Sequence, residues 1–246
     1  MSLRIAFDCD GVVADLDSAL AEIATNLFGQ APDPKAAPEP QSPPVSGTDV
    51  PPADGDPSLS ADGPTPEEQQ VEPARFRALT RHQQHEIWES VRHTENFWES
   101  LPEAEPGAVA RLAMLARDQR WDVIFITQRP SSGGDSTQLQ TQRWLVAHGF
   151  DLPSVYVITG SRGKVADALS LDVVVDDRPE NCLDVKLESR ARAILIWDAD
   201  FVDIPPNAQR LGIEPVAGIG ACLDLLSAAR PDRPGLFSRI RQLMGD

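Results

Sequence analysis

Two aspartates one residue apart, Asp8 and Asp10, follow the apolar run Leu3 to Phe7. Thr127 ends a second apolar run that starts at Val123, and Asp176 with Asp177 follow a third at Val173 to Val175, with the basic Lys164 just before it. Taken singly, an Asp after a strand is a turn residue or a helix cap, and a Thr is a solvated strand end. Taken together, they place carboxylates at successive strand ends. Carboxylates gathered at one edge repel one another and are driven toward protonation unless a cation joins them. With oxygen donors only, the cation that fits is a hard one, Mg2+.

The elements that must position these groups follow from hydrophobic periodicity. Leu3 to Phe7, Val123 to Thr127, Val155 to Ile158, Val173 to Val175 and Ala193 to Trp197 are strand-like and alternate with helical patterns. That order predicts a parallel sheet. Val109, Leu112, Ala113 and Ala116 form the apolar face of one crossover helix, and Gly149 stands where a helix ending near His148 needs its terminal glycine. The strands are apolar at nearly every residue, so both faces of the sheet must be covered, which gives a doubly wound α/β sandwich of three layers. Ligands of such sheets bind beyond the carboxyl ends of the strands, where the polar groups lie. From about Leu16 to Ser100 there is no strand pattern, only a helix to Phe28 and a second helical region with Phe76, Leu79, Ile87 and Val91.

The run Phe-Asp-Cys-Asp-Gly-Val-Val-Ala-Asp at residues 7 to 15 resembles the first motif of the haloacid dehalogenase (HAD) superfamily. Thr127 fits the second motif, Lys164 the third, and the apolar run into Asp176 and Asp177 the fourth. The resemblance implies a HAD-like Rossmannoid core of residues 1–15 and 101–246, with a helical cap, residues 16–100, inserted after the first motif. It implies a phosphatase in which Asp8 is the nucleophile and Asp10 the general acid and base. Mg2+ would sit between Asp8, the backbone carbonyl of Asp10 and Asp176, with Asp177 supporting that shell. Thr127 and the backbone N–H groups after it, beginning at Gln128, would cradle the phosphoryl oxygens, and Lys164 would offset their charge.

Within the superfamily, Asp-Gly-Val-Val-Ala-Asp at 10 to 15, Phe97-Trp98 ahead of Pro106-Gly107-Ala108, and Asp-Asp-Arg-Pro-Glu-Asn at 176 to 181 are similar to the 5'(3')-deoxyribonucleotidases. This implies a small phosphorylated substrate, a nucleoside monophosphate, whose base Trp88, Phe97 or Trp98 could stack upon. Thr-Gln-Arg-Pro at 127 to 130, with Thr141, Arg143-Trp144-Leu145 and His148-Gly149, is instead similar to the polynucleotide 3'-phosphatase domain. A sugar or small-metabolite phosphatase is a third reading within the superfamily. Gln128 stands where both families commonly carry a small residue.

Composition narrows the rest. The formal charge of −16 repels a phosphate backbone and offers no basic stripe, which excludes duplex nucleic acid as a partner. Residues 31–73 hold nine Asp or Glu against the single Lys35, and twelve prolines, so this stretch reads as a disordered insertion in the cap. A protein partner could dock there, and a non-catalytic scaffold would use it as its working part. Three distant cysteines, Cys9, Cys182 and Cys222, suggest reduced, buried thiols. No apolar leader and no run of about 18 apolar residues occurs, which predicts a cytoplasmic protein without membrane contact. His82 and His85 lack a completing carboxylate pattern, and the amphipathic stretch Leu236, Phe237, Ile240, Leu243 and Met244 is assigned to packing.

Overall fold

The computed structural model describes residues 2–29, 76, 79–197, 208 and 210–228. The insertion expected at 31–73 and the amphipathic stretch at 236–244 lie outside the described residues. Six strands form one sheet: β1 (Arg4–Asp8), β2 (Asp122–Thr127), β3 (Ser154–Val157), β4 (Val173–Asp176), β5 (Arg192–Ile196) and β6 (Glu214–Val216). Their order is β3-β2-β1-β4-β5-β6, and every pair is parallel. This is a Rossmann-like α/β sheet, in which the chain winds outward from β1 in one direction and then returns to build the other half from β4.

The helices are α1 (Leu16–Phe28), α2 (Arg81–His93), α3 (Ala108–Gln119), α4 (Thr137–Ala147), α5 (Arg162–Ala168), α6 (Pro179–Glu188) and α7 (Ile219–Ala228). Period-2 alternation divides the strand side chains between two layers. Ile5, Phe7, Phe125, Val173, Val175 and Ile194 enter one buried cluster with residues of α1, α2, α3, α4 and α7. Ala6, Ile126, Val174, Ala193 and Leu195 enter a second with Ala166 of α5 and Cys182 and Val185 of α6. Both faces are therefore covered, and the interior positions of β1, β2, β4 and β5 are accordingly apolar, with polar residues only at the strand ends.

Local sequence fixes where the helices begin and end. The Asp15 side chain accepts the Ser18 backbone N–H at the start of α1, and Gly29 at φ 75° closes that helix. Thr80 and Gln83 make a reciprocal capping box at the start of α2. In the expected cap region, α1 and α2 pack against each other, and Leu16, Leu20, Ile87, Trp88 and Val91 belong to the same buried cluster as Phe7. The periodicity does not reveal β6, because Pro215 sits inside it; an edge strand accepts a residue with no backbone N–H to donate. No helix among the described residues is long and apolar enough to cross a membrane.

Candidate active site

β1 and β4 are neighbours at the point where the winding of the sheet reverses, and a crevice forms beyond the carboxyl ends of such strands. Asp8 is the last residue of β1, Asp176 the last of β4, and Thr127 the last of β2 on the other side of β1. After Asp8 the chain turns sharply, with the N–H groups of Val13 and Ala14 both donating to the Cys9 carbonyl at 3.0 and 2.8 Å. Gly11 makes this turn possible at φ 73°, and a Cβ there would collide with the Asp177 carboxylate. The turn thus brings Asp10 back over the strand ends and seats Asp177 against the loop.

Asp8, Asp176 and Asp177 each offer a carboxylate oxygen, all within 4.8 Å of one another. Asp8 is only 6% exposed and Asp176 is fully buried. Burial, reinforced by Asp176, Asp177 and Asp10 and opposed by Arg162, raises the Asp8 carboxyl well above its ordinary range. Burial and the adjacent Asp176 push Asp177 up to about 8. Three hard oxygen donors that cannot all ionise comfortably are what a divalent cation relieves, so the residues fit Mg2+. Asn181 donates to both oxygens of Asp176 at 3.0 and 3.1 Å, and the Arg178 backbone N–H donates to one of them at 3.0 Å, which holds that carboxylate in place.

The cation facing this group is Arg162, which sequence spacing alone misses. Its side chain is 3% exposed; Nη2 donates to Asp8 Oδ1, and Nε lies 3.0 Å from Asp176 Oδ2. Its Nη1 is buried with no hydrogen-bond partner among the described residues. Lys164, the cation expected there, is exposed instead, with its backbone N–H bonded to the Ser161 hydroxyl that caps α5. The signal that distinguishes them is the face of α5: Arg162 lies four residues before the buried Ala166, and Lys164 does not.

The Asp10 carboxylate does not join the three acids. Arg129 holds it, with Nε at 3.0 and 2.9 Å from its two oxygens and Nη2 at 2.7 Å from Oδ1, while the Thr127 hydroxyl donates to Oδ2 at 3.3 Å. Gln128 points elsewhere, its amide lying 3.4 Å from the Gly160 carbonyl. Trp88, Phe97 and Trp98 are 1%, 4% and 0% exposed. Their rings serve the core: Trp98 donates its indole N–H to the Pro130 carbonyl at 3.0 Å and Phe97 packs edge-on against it, so none of the three presents a face for a base. His82 pairs with Glu86 at 3.6 Å. The three cysteines are free and buried, and burial raises each thiol.

No protein-family model matches the chain, and no curated protein matches it. Among solved structures, it is similar to one provisionally assigned as a beta-phosphoglucomutase from Thermotoga maritima, with 16% identity and a TM-score of 0.48 over 92% of this chain and 99% of that one.

Proposed function

We propose that the protein is a Mg2+-dependent phosphomonoester hydrolase of the haloacid dehalogenase type, working through an aspartyl phosphate on Asp8. The observation that carries this reading is the Asp8, Asp176 and Asp177 cluster at the switch point of the sheet, with a buried arginine on Asp8 and a second, separately held aspartate two residues on. Asp8, Asp176, Asp177 and the backbone carbonyl of Asp10 are the groups that would hold the metal. When bound, Mg2+ supplies positive charge that screens nucleophile from phosphate and offsets the charge of the transition state.

The residues of the chain do the rest. A carboxylate oxygen of Asp8 forms a bond to phosphorus as the bond to the leaving oxygen breaks, and Asp10 gives its proton to that oxygen. Asp10, now a carboxylate, takes a proton from water. The water oxygen attacks phosphorus, the bond to Asp8 breaks, and inorganic phosphate leaves. Arg162 Nη1, buried and without a partner among the described residues, is the donor for a phosphoryl oxygen, joined by the backbone N–H groups that follow Thr127. Lys164 would then serve only as a more distant charge.

The substrate is a small phosphomonoester. Flanking residues similar to those of the deoxyribonucleotidases support a nucleoside monophosphate. Burial of Trp88, Phe97 and Trp98 removes base stacking from that case and leaves a sugar or small-metabolite phosphate equally well supported. The unpaired, buried cysteines fit a reducing compartment, the cytoplasm. The test is phosphate release from nucleoside 5'- and 3'-monophosphates, sugar phosphates and a 3'-phosphorylated oligonucleotide, in Mg2+ or in EDTA. Release that needs Mg2+ and vanishes in Asp8→Asn is expected, and the best substrate chooses the subfamily. No release by folded protein from any of them would move the scaffold reading to the front.

A further inference from the structure

We propose that Arg129 is a positioning residue that fixes the Asp10 carboxylate toward the leaving oxygen, and thereby governs how strongly turnover depends on the leaving group. This rests on the reading of Asp10 as general acid and base. Arg129 is 2% exposed and meets Asp10 through a two-pronged pair, Nε at 3.0 and 2.9 Å from the two oxygens and Nη2 at 2.7 Å from Oδ1. Such a fork sets the plane of the carboxylate as well as its distance.

The guanidinium itself has no latitude. Nη1 donates to the Thr141 hydroxyl at 2.9 Å, and that hydroxyl donates to the Thr137 carbonyl at 2.8 Å. Its carbon lies 4.9 Å from the centre of the Trp98 ring, and Trp98 is anchored by the Pro130 carbonyl and by Gln140, whose side-chain oxygen accepts the Trp98 backbone N–H at 3.1 Å. Its three contacts come from three different elements: Asp10 in the turn after β1, Thr141 in helix α4 and Trp98 in the segment at Phe97–Glu99.

Stability does not explain this construction, because apolar residues of similar volume commonly serve a core as well as or better than a buried ion pair. Geometry does explain it. Proton transfer needs the donor oxygen within hydrogen-bond reach of the leaving oxygen, and a carboxylate free to rotate about its side chain spends little time there. Arg129 does not touch the reacting phosphate in this scheme; it acts through Asp10.

The test compares an alkyl phosphomonoester, whose leaving oxygen needs a proton, with p-nitrophenyl phosphate, whose leaving oxygen does not. Full-length wild type, Asp10→Asn, Arg129→Met, Arg129→Lys and Thr141→Val are measured for kcat/KM in saturating Mg2+. Asp10→Asn should lower the alkyl rate on the order of 100-fold and the aryl rate far less, the usual size of a general-acid contribution. Arg129→Met should reproduce that selective loss, Arg129→Lys should show part of it, and Thr141→Val, which keeps the charge and loosens its seat, should shift the alkyl-to-aryl ratio the same way. Equal losses on both esters, or an unchanged ratio in every Arg129 and Thr141 variant while Asp10→Asn retains its split, would overturn the proposal. Should Asp10→Asn show no split, the acid role of Asp10 falls and this proposal with it. Should Arg129→Met fail to fold, the Lys and Thr141 variants decide.

Discussion

Arg162 and Lys164 lie two residues apart on α5, so their side chains leave the helix roughly 200° apart and only one can reach the sheet edge. Arg162 is that one, and it stands between two buried carboxylates. Arg162→Ala should therefore lower kcat/KM on the order of 100-fold or more, with part restored in Arg162→Lys, whereas Lys164→Ala should stay within about twofold. Steady-state rates in saturating Mg2+ check this, and the reverse ranking would return the role to Lys164. The places of Asp8, Asp10, Thr127, Asp176 and Asp177 at the sheet edge were legible from sequence because each ends or follows an apolar run whose length locates that edge. The choice between the two cations was not, because it depends on where Ser161 starts the helix and which face then meets Ala166. The aromatic residues were visible as well, but residue type does not say which way a ring faces: Trp88, Phe97 and Trp98 turn into the core.

At the scale of elements, the turn after β1 determines whether the acids converge. Gly11 has a left-handed φ of 73° and no room for a Cβ beside Asp177. Gly11→Ala should cost about 1 kcal/mol of backbone strain. It should also displace Asp177 and weaken Mg2+ binding by roughly tenfold, as loss of a supporting contact to a metal ligand does. Titration calorimetry of the metal alone reads this without reference to turnover, and unchanged affinity would remove Asp177 from the metal-binding set. Five of the six strands could be read from sequence, since each contains a run of apolar, strand-favouring residues set off by helical patterns or turns. β6 could not, because three residues with a central proline form a strand only when β5 offers an edge to pair with. Helices α1 and α2 were anticipated as helices; their packing into the cluster of Phe7 depends on long-range contacts that periodicity does not encode.

Across the whole molecule, the acidic cluster couples folding to proton binding. Asp177 holds its proton up to about 8 in the folded, metal-free protein, against an ordinary value of 3.8 in an unfolded chain, and Asp8 is raised in the same direction. Between those limits the folded state binds more protons than the unfolded one, so stability falls as pH rises. In EDTA the melting temperature should drop from about pH 5 to about pH 8, and Asp177→Asn or saturating Mg2+ should flatten that slope. A flat or rising profile in EDTA would mean that these carboxylates are ionised without help.

Asp8 and Asp176 also occupy strands with a hydrogen-bonded neighbour on each side, since β1 lies between β2 and β4, and β4 between β1 and β5. Amide protons in such central strands trade with solvent through openings close to the full cost of unfolding, while edges and loops open far more readily. The carboxylates that would do the chemistry are thus anchored in the part of the molecule that comes apart last. Warming would thin the working population before it blunted any individual survivor.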